Sequence, residues 1–229
     1  MVAGQDIDKI IKKTQRYEFL DGLREIQLGV YMALLGLTNW IIFQPFWVRF
    51  YLWLLDRTDR FTSILTAILL LAIPVLAALG VQQVMYAVRK RWLWQESGMV
   101  KPLRVVVPRW ITIVSVLVLF AGLGLGLLLQ PLFPNQFFIW GVLWGSTGVS
   151  FGYLLAALGQ HLQLKRYVWV GILGGVGSVA MFVLPLSLGN SVLVLGLGWA
   201  VLLIGSGLLA LRQTWPQVRA ANSEGERDV

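Results

Sequence analysis

The 229-residue sequence contains no cysteine and a single histidine, His161. Without cysteine the fold has no disulfide and no thiolate ligand for a metal. One imidazole also supplies too few ligands for a transition-metal site, so we predict neither a metal nor another cofactor. We interpret His161 as a residue at the end of a membrane helix, where a cation is favourable.

Charge is scarce as well, because only 13% of the residues are charged, whereas a soluble domain carries about a quarter. The mean hydropathy is +0.73. The scarcity is concentrated in long stretches without any Asp, Glu, Lys or Arg, at residues 26–48, 61–88, 110–164 and 167–211. A helix of about 20 apolar residues crosses the hydrocarbon core of a bilayer, so each stretch holds at least one membrane-spanning helix.

The two longest stretches are each interrupted once by residues that favour turns. Proline lacks an amide donor, and Gly or Asn tolerates unusual backbone dihedrals, so the segments around Pro131 and Pro185 divide these stretches into two helices each. We therefore predict an all-α, multi-spanning membrane protein. Its six transmembrane helices are expected at about 26–44, 63–87, 110–130, 136–159, 167–185 and 191–211.

The basic residues predict the orientation of these helices. Sixteen of the nineteen Lys and Arg residues fall in the N-terminal segment, the second and fourth connections and the C-terminal tail. The positive-inside rule then places both termini in the cytoplasm. We expect a protein of the plasma membrane, in bacteria the inner membrane, whose basic segments face an anionic inner leaflet and not nucleic acid.

Three regions follow from this pattern. Residues 1–25 form a cytoplasmic amphipathic juxtamembrane helix, because apolar residues recur there at helical spacing between charged ones. Residues 26–211 form the six-helix membrane domain. Residues 212–229 form a short polar cytoplasmic tail.

The juxtamembrane segment is unusual because it carries acids on the cytoplasmic side. Acids do not contribute to the positive-inside rule, and they repel an anionic leaflet. They serve either the solubility of an exposed helix face or docking. The docking partner is either the basic second connection of the same chain, which we slightly favour, or a separate membrane or cytoplasmic protein. The candidate docking residues are Glu18, Asp21, Gly22, Arg24 and Glu25, with Arg89, Lys90 and Arg91 in the basic connection.

Glycine is frequent in the predicted membrane helices and recurs there at a spacing of four. Small residues at this spacing allow two helix backbones to approach closely in lipid. The pattern fits packing inside the bundle, which we favour, or the face of a homodimer or of another partner. The candidate packing residues are Gly141, Gly145, Gly148, Gly152, Gly171 and Gly175.

Signs of catalysis are weak. The segment "GVSFG" at 148–152 matches a hydrolase nucleophile motif, but that motif requires a strand-to-helix turn, and this one lies in a predicted membrane helix. His161 is eleven residues away, about 16 Å along a helix, and cannot act as its base. The predicted spans also contain no ionisable residue, although ion-coupled carriers place such residues inside the bundle.

Three functions remain. The first is a non-enzymatic membrane subunit or accessory of a larger assembly, which docks through the N-terminal helix and the basic connection. The second is a small transporter or substrate-binding membrane component for a neutral or apolar compound. The third, an intramembrane enzyme acting on lipid, ranks lowest because no acid–base pair is placed for it.

Overall fold

The computed structural model describes residues 22–57, 60–88, 107–132 and 138–225, which form helices and turns without any strand. This confirms the all-α class for that part of the chain. The α-helices of these residues are α1 Leu23–Ile42, α2 Pro45–Arg57, α3 Arg60–Val88, α4 Arg109–Leu129, α5 Phe138–His161, α6 Lys165–Val179 and α7 Leu188–Gly225. Two short 3-10 turns follow α4 and α6, at Gln130–Leu132 and Ala180–Phe182.

Four helical segments are long and apolar enough to cross a membrane, namely Leu23–Ile42, Arg109–Leu132, Phe138–His161 and Leu188–Gln213. They coincide with four of the predicted spans and indicate a membrane-embedded protein. The other two predicted spans correspond to α3 and α6. Helix α6 ends at Val179, before the expected residue 185, because a 3-10 turn and an extended segment precede Pro185.

Helices α1 and α7 form a long antiparallel pair in which glycines bring the two backbones together. A Cβ on Gly196 would lie 2.8 Å from the Cα of Gly36, and one on Gly207 would lie 2.6 Å from the carbonyl oxygen of Gly22. At the far end, the Trp40 indole donates a hydrogen bond of 3.1 Å to the Asn190 side chain. The contact therefore extends over the whole length of α1 and leaves the C-terminal part of α7 beyond it.

In a second group of helices, α5 lies between α4 and α6 and contacts both. A cluster of buried apolar side chains lies where α5, α6 and α7 meet near the α5–α6 connection, and the Phe151 and Trp199 rings make an edge-to-face contact there at 4.7 Å. Since α7 contacts both α1 and this group, it joins the two halves of the bundle. The cluster consists of Leu155, Leu158, Leu162, Leu164, Tyr167, Val170, Trp199 and Leu203.

Helices α2 and α3 are attached at the edge of the bundle. On α2, the rings of Phe46, Trp47, Phe50 and Trp53 follow one another with centroid separations of 5.7 to 6.0 Å. Aromatic side chains of this kind are common at the level of the lipid headgroups. Within the described residues α3 packs chiefly against α1, with a smaller contact to α2.

Candidate functional site

The most distinctive polar site lies at the end of the bundle where α1 and α6 begin. Helix α1 starts after Gly22, whose φ of 75° is a left-handed conformation that other residues adopt only with strain. Glu25 follows in the first helical turn, a position that favours an acid. Arg166 and Tyr167 occupy the first turn of α6.

These residues converge on the Glu25 carboxylate. Its Oε1 lies 2.7 Å from Nε of Arg166, and its Oε2 accepts a hydrogen bond of 2.6 Å from the Ser206 hydroxyl on α7. The Tyr167 side chain also interacts with this carboxylate. Glu25 is 1% exposed, whereas Arg166 keeps 26% of its side chain accessible. We call Glu25, Arg166, Tyr167 and Ser206 the ion-pair cluster.

The ion-pair cluster connects three helices through one acid. A buried carboxylate is costly unless opposite charge and hydrogen bonds compensate for its lost hydration, and here both its oxygens have such partners. Removing one partner would leave the other charge buried and uncompensated, so the cluster fixes a particular arrangement of α1, α6 and α7. Through these contacts the carboxylate links α1 to α6 and α7.

The backbone next to the ion-pair cluster is fixed as well. The space that a side chain on Gly22 would need is taken by the carbonyl of Gly207. Two further glycines of α1 contact α7, because a Cβ on Gly29 would lie 2.6 Å from the Ile204 side chain and Gly36 faces Gly196. Sequence reasoning missed this contact, although the seven-residue spacing of Gly22, Gly29 and Gly36 is a signal that could have found it.

The predicted docking residues that the structure describes do not form one surface. Glu25 is buried in the ion-pair cluster, and Gly22 contacts α7. Arg24 instead donates a hydrogen bond of 3.2 Å to Gln27, whose amide donates to the Tyr31 hydroxyl at 2.7 Å. The other predicted docking residues lie outside the described part of the chain, namely Glu18, Asp21, Arg89, Lys90 and Arg91.

Arg166 and Ser206 are members of the ion-pair cluster that sequence reasoning did not single out. For Arg166 a signal existed, because the predicted topology places the fourth connection on the same side of the membrane as Glu25, with opposite charge. For Ser206 the sequence offers no comparable signal. Which residue of α7 faces Glu25 depends on the rotation of α7 about its own axis relative to α1.

The six glycines predicted to pack helices all lie where α5 meets α6. Gly152 and Gly171 approach each other so closely that a Cβ on either would lie within 2.6 Å of the other's carbonyl oxygen. Gly175 borders the same contact. Gly141, Gly145 and Gly148 continue along α5 towards Met181, Phe182 and Ser178.

Serine side chains make the hydrogen bonds inside this half of the bundle. The Ser150 hydroxyl donates to the Ser115 carbonyl at 2.7 Å, and the Ser115 and Ser150 hydroxyl oxygens are 2.8 Å apart. Ser150, the central residue of "GVSFG", therefore links α5 to α4. The Trp199 indole donates to the Ser178 hydroxyl at 3.2 Å, which links α7 to α6.

A half-open cavity of about 160 Å³ lies between α6 and α7. Its wall is mostly apolar, and its polar atoms include the bonded pair of Ser178 and Trp199. The lining residues are Gly174, Gly177, Ser178, Met181, Val194, Leu195, Gly198, Trp199 and Leu202.

Comparison with protein-family models, with characterised proteins and with solved structures finds no match to this chain. Among the residues that the structure describes, no group of three or more His, Asp or Glu side chains is placed to hold a metal ion. Function therefore has to be inferred from the contacts of the bundle itself.

Proposed function

We propose that the chain is a six-span membrane protein with both termini in the cytoplasm, and that it acts as a non-enzymatic membrane subunit or accessory of a larger assembly. One set of contacts supports this topology at the cytoplasmic end. Glu25 at the start of α1, Arg166 at the start of α6 and Ser206 in α7 meet there, as expected if the N-terminal segment, the fourth connection and the C-terminal tail share one side of the membrane.

Contacts at the other end support the same topology. Trp40 near the end of α1 bonds Asn190 near the start of α7, and Gly141 near the start of α5 contacts Met181 beyond α6. Neighbouring helices therefore run in opposite directions, as successive spans do. Helix α3 has 29 residues and a length of about 43 Å, which is sufficient for a further span.

The observation that carries the proposed role is the ion-pair cluster. It fixes Glu25 to α6 and α7, while the contact of Gly22 with Gly207 fixes the backbone just before α1. Residues 1–21 are thus joined to an anchored end of the bundle. A protein bound to this segment would be attached to that anchored end of the bundle, as an assembly subunit requires.

Two of the buried polar contacts in the described bundle favour this structural role over catalysis. Glu25 is paired with Arg166, and Ser150 is bonded to Ser115. In these contacts the polar groups hold neighbouring helices together. The proposed setting is the plasma membrane, in bacteria the inner membrane, with the basic segments towards its anionic leaflet.

Native mass spectrometry of the chain, extracted gently from its own membrane, tests the proposed role. We expect a second protein at a fixed stoichiometry. The double variant Glu18→Asn, Asp21→Asn should lose that protein, because the docking charges are removed. The control Asp56→Asn removes an acid on the predicted opposite side and should retain it. A wild-type chain that carries no other protein would contradict the proposal.

The cavity between α6 and α7 favours a second candidate function, a carrier or binding component for a small neutral or apolar compound. The same mass spectra would then contain the chain with a discrete small molecule. Gly198 lines the cavity, and a Cβ there meets no atom within 4 Å, so Gly198→Leu should fill the space and release the molecule. Gly205→Leu, equally open but outside the cavity lining, is the matched control.

A further inference from the structure

Helix α3 has an outward face with the spacing of a helix-pairing seam. Leu76, Leu79 and Gln83 follow one another at intervals of three and four residues, which are the a and d positions of a heptad. Leu76 is 64% exposed, Leu79 is 52% exposed, and Gln83 is also exposed. We call these three residues the α3 seam. The partly buried Val81 and Met85 lie on the opposite side of the helix.

Gln83 makes the α3 seam more than an apolar surface. It lies five residues before the end of α3 at Val88, about 7.5 Å along the helix. Its amide has no hydrogen-bond partner within the part of the chain that the structure describes, and Gly80 beside it faces open space. An amide that faces lipid lacks the hydrogen bonds of water, so a partner helix that supplies them is favoured.

The α3 helix of a second copy of this chain is a suitable partner for the α3 seam, and no other protein is needed. All copies insert with the same orientation, so two α3 helices related by a two-fold axis along the membrane normal lie parallel, with both Gln83 residues at one depth. A primary amide both donates and accepts hydrogen bonds, so it is complementary to itself. The small Gly80 allows the two backbones to approach closely.

We infer that α3 pairs with the α3 of a second copy through the α3 seam, with the two Gln83 side chains hydrogen-bonded to each other. This pairing rests on the six-span orientation of the proposed function and adds a homomeric contact to it. A polar residue at a single a position fixes the register of a helix pair, so Gln83 sets which residues face each other. Leu76 and Leu79 pack on the side of Gln83 towards the membrane centre.

Disulfide crosslinking tests the pairing directly, since the native chain has no cysteine and a single introduced cysteine gives no background. Leu79→Cys places a thiol in the α3 seam. Val84→Cys, 60% exposed but about 140° around the helix, is the matched control. In native membranes treated with a mild oxidant, Leu79→Cys should form a dimer about tenfold faster than Val84→Cys. Equal rates, or no dimer from Leu79→Cys, would overturn the inference.

Gln83→Leu then tests the amide contact in the Leu79→Cys background. Loss of an interhelical polar contact should weaken dimerisation about 5- to 30-fold, measured from the dimer fraction against protein-to-lipid ratio. The neighbouring Gln82→Leu, off the seam, should leave dimerisation unchanged. Unchanged dimerisation of Gln83→Leu would overturn the amide contact. Crosslinking detects copies of this chain alone, so its outcome is separate from whether a foreign subunit is captured in the mass spectra.

Discussion

Helices α1 and α3 lie next to each other but are held in different ways. Against α7, α1 brings glycine backbones together at Gly36 and Gly196, and Glu25 binds both α7 and α6 through buried polar contacts. Helix α3 leaves many side chains exposed, and its Gly80 faces open space. Apolar burial does not drive helices together in lipid, so close backbone approach and satisfied polar groups distinguish a firmly fixed helix from a peripheral one.

Removing the carboxylate of the ion-pair cluster should give the largest effect. Glu25→Ala leaves Arg166 without its opposite charge, and loss of one partner of a buried ion pair costs about 3 kcal/mol or more. We take the low end of that range because Arg166 keeps 26% of its side chain exposed. Unfolding of the purified protein in mixed micelles with increasing SDS measures the loss.

Two further variants separate charge from shape at this position. Glu25→Gln keeps an oxygen to accept the Ser206 hydrogen bond and should lose less stability than Glu25→Ala. The double variant Glu25→Ala, Arg166→Met removes both charges and should regain part of the loss, because the uncompensated guanidinium is gone. If the double variant loses more unfolding free energy than the two single variants lose together, the pair does not hold the helices together as described.

Two glycines of α7 test the importance of close backbone contact. A Cβ on Gly207 would lie 2.6 Å from the Gly22 carbonyl oxygen, so Gly207→Ala should overpack the α1–α7 contact and cost about 1 to 3 kcal/mol. Gly205 on the same helix has open space, so Gly205→Ala should stabilise by roughly 0.5 to 1 kcal/mol. The same SDS titration compares them, and equal effects would contradict the proposed contact.

The sequence predicted the helical class and the apolar segments because these depend on composition and on interruptions that are local. The break before Pro185 is an example, although α6 ends six residues earlier than expected. The six packing glycines were also visible, since spacing by four is a property of one helix. Membrane helices could thus be located without knowledge of their neighbours.

Contacts between distant segments could not be predicted in the same way. The acids before the first span suggested docking, and the basic connection from Arg89 was the expected partner within the chain. The structure places Glu25 against Arg166 and Ser206, while the basic connection from Arg89 lies outside the described residues. Residues 25, 166 and 206 come together only once α1, α6 and α7 have a defined order and rotation, and no single-helix pattern contains that information.

Removing the serine pair between α4 and α5 should cost less stability than the changes at α1 and more than a change on the exposed face of α3. Ser115→Ala and Ser150→Ala each remove one member of a reciprocal pair. In a double-mutant cycle the coupling between them should be about 0.6 kcal/mol, the average for hydrogen bonds between membrane helices. A coupling near zero would mean that the two hydroxyls act independently, each through its hydrogen bond to the backbone carbonyl of the other serine.

The smallest effect is expected on the exposed face of α3. In micelles dilute enough to hold single chains, Leu76→Ala should change the free energy of unfolding by less than about 0.5 kcal/mol, because the side chain is 64% exposed. A loss as large as that of Gly207→Ala would show that α3 is packed as firmly as α1. In lipid at high protein-to-lipid ratio the same variant should reduce the dimer fraction, because Leu76 belongs to the α3 seam. The difference between the two conditions separates a residue that stabilises the fold from one that contacts a second copy.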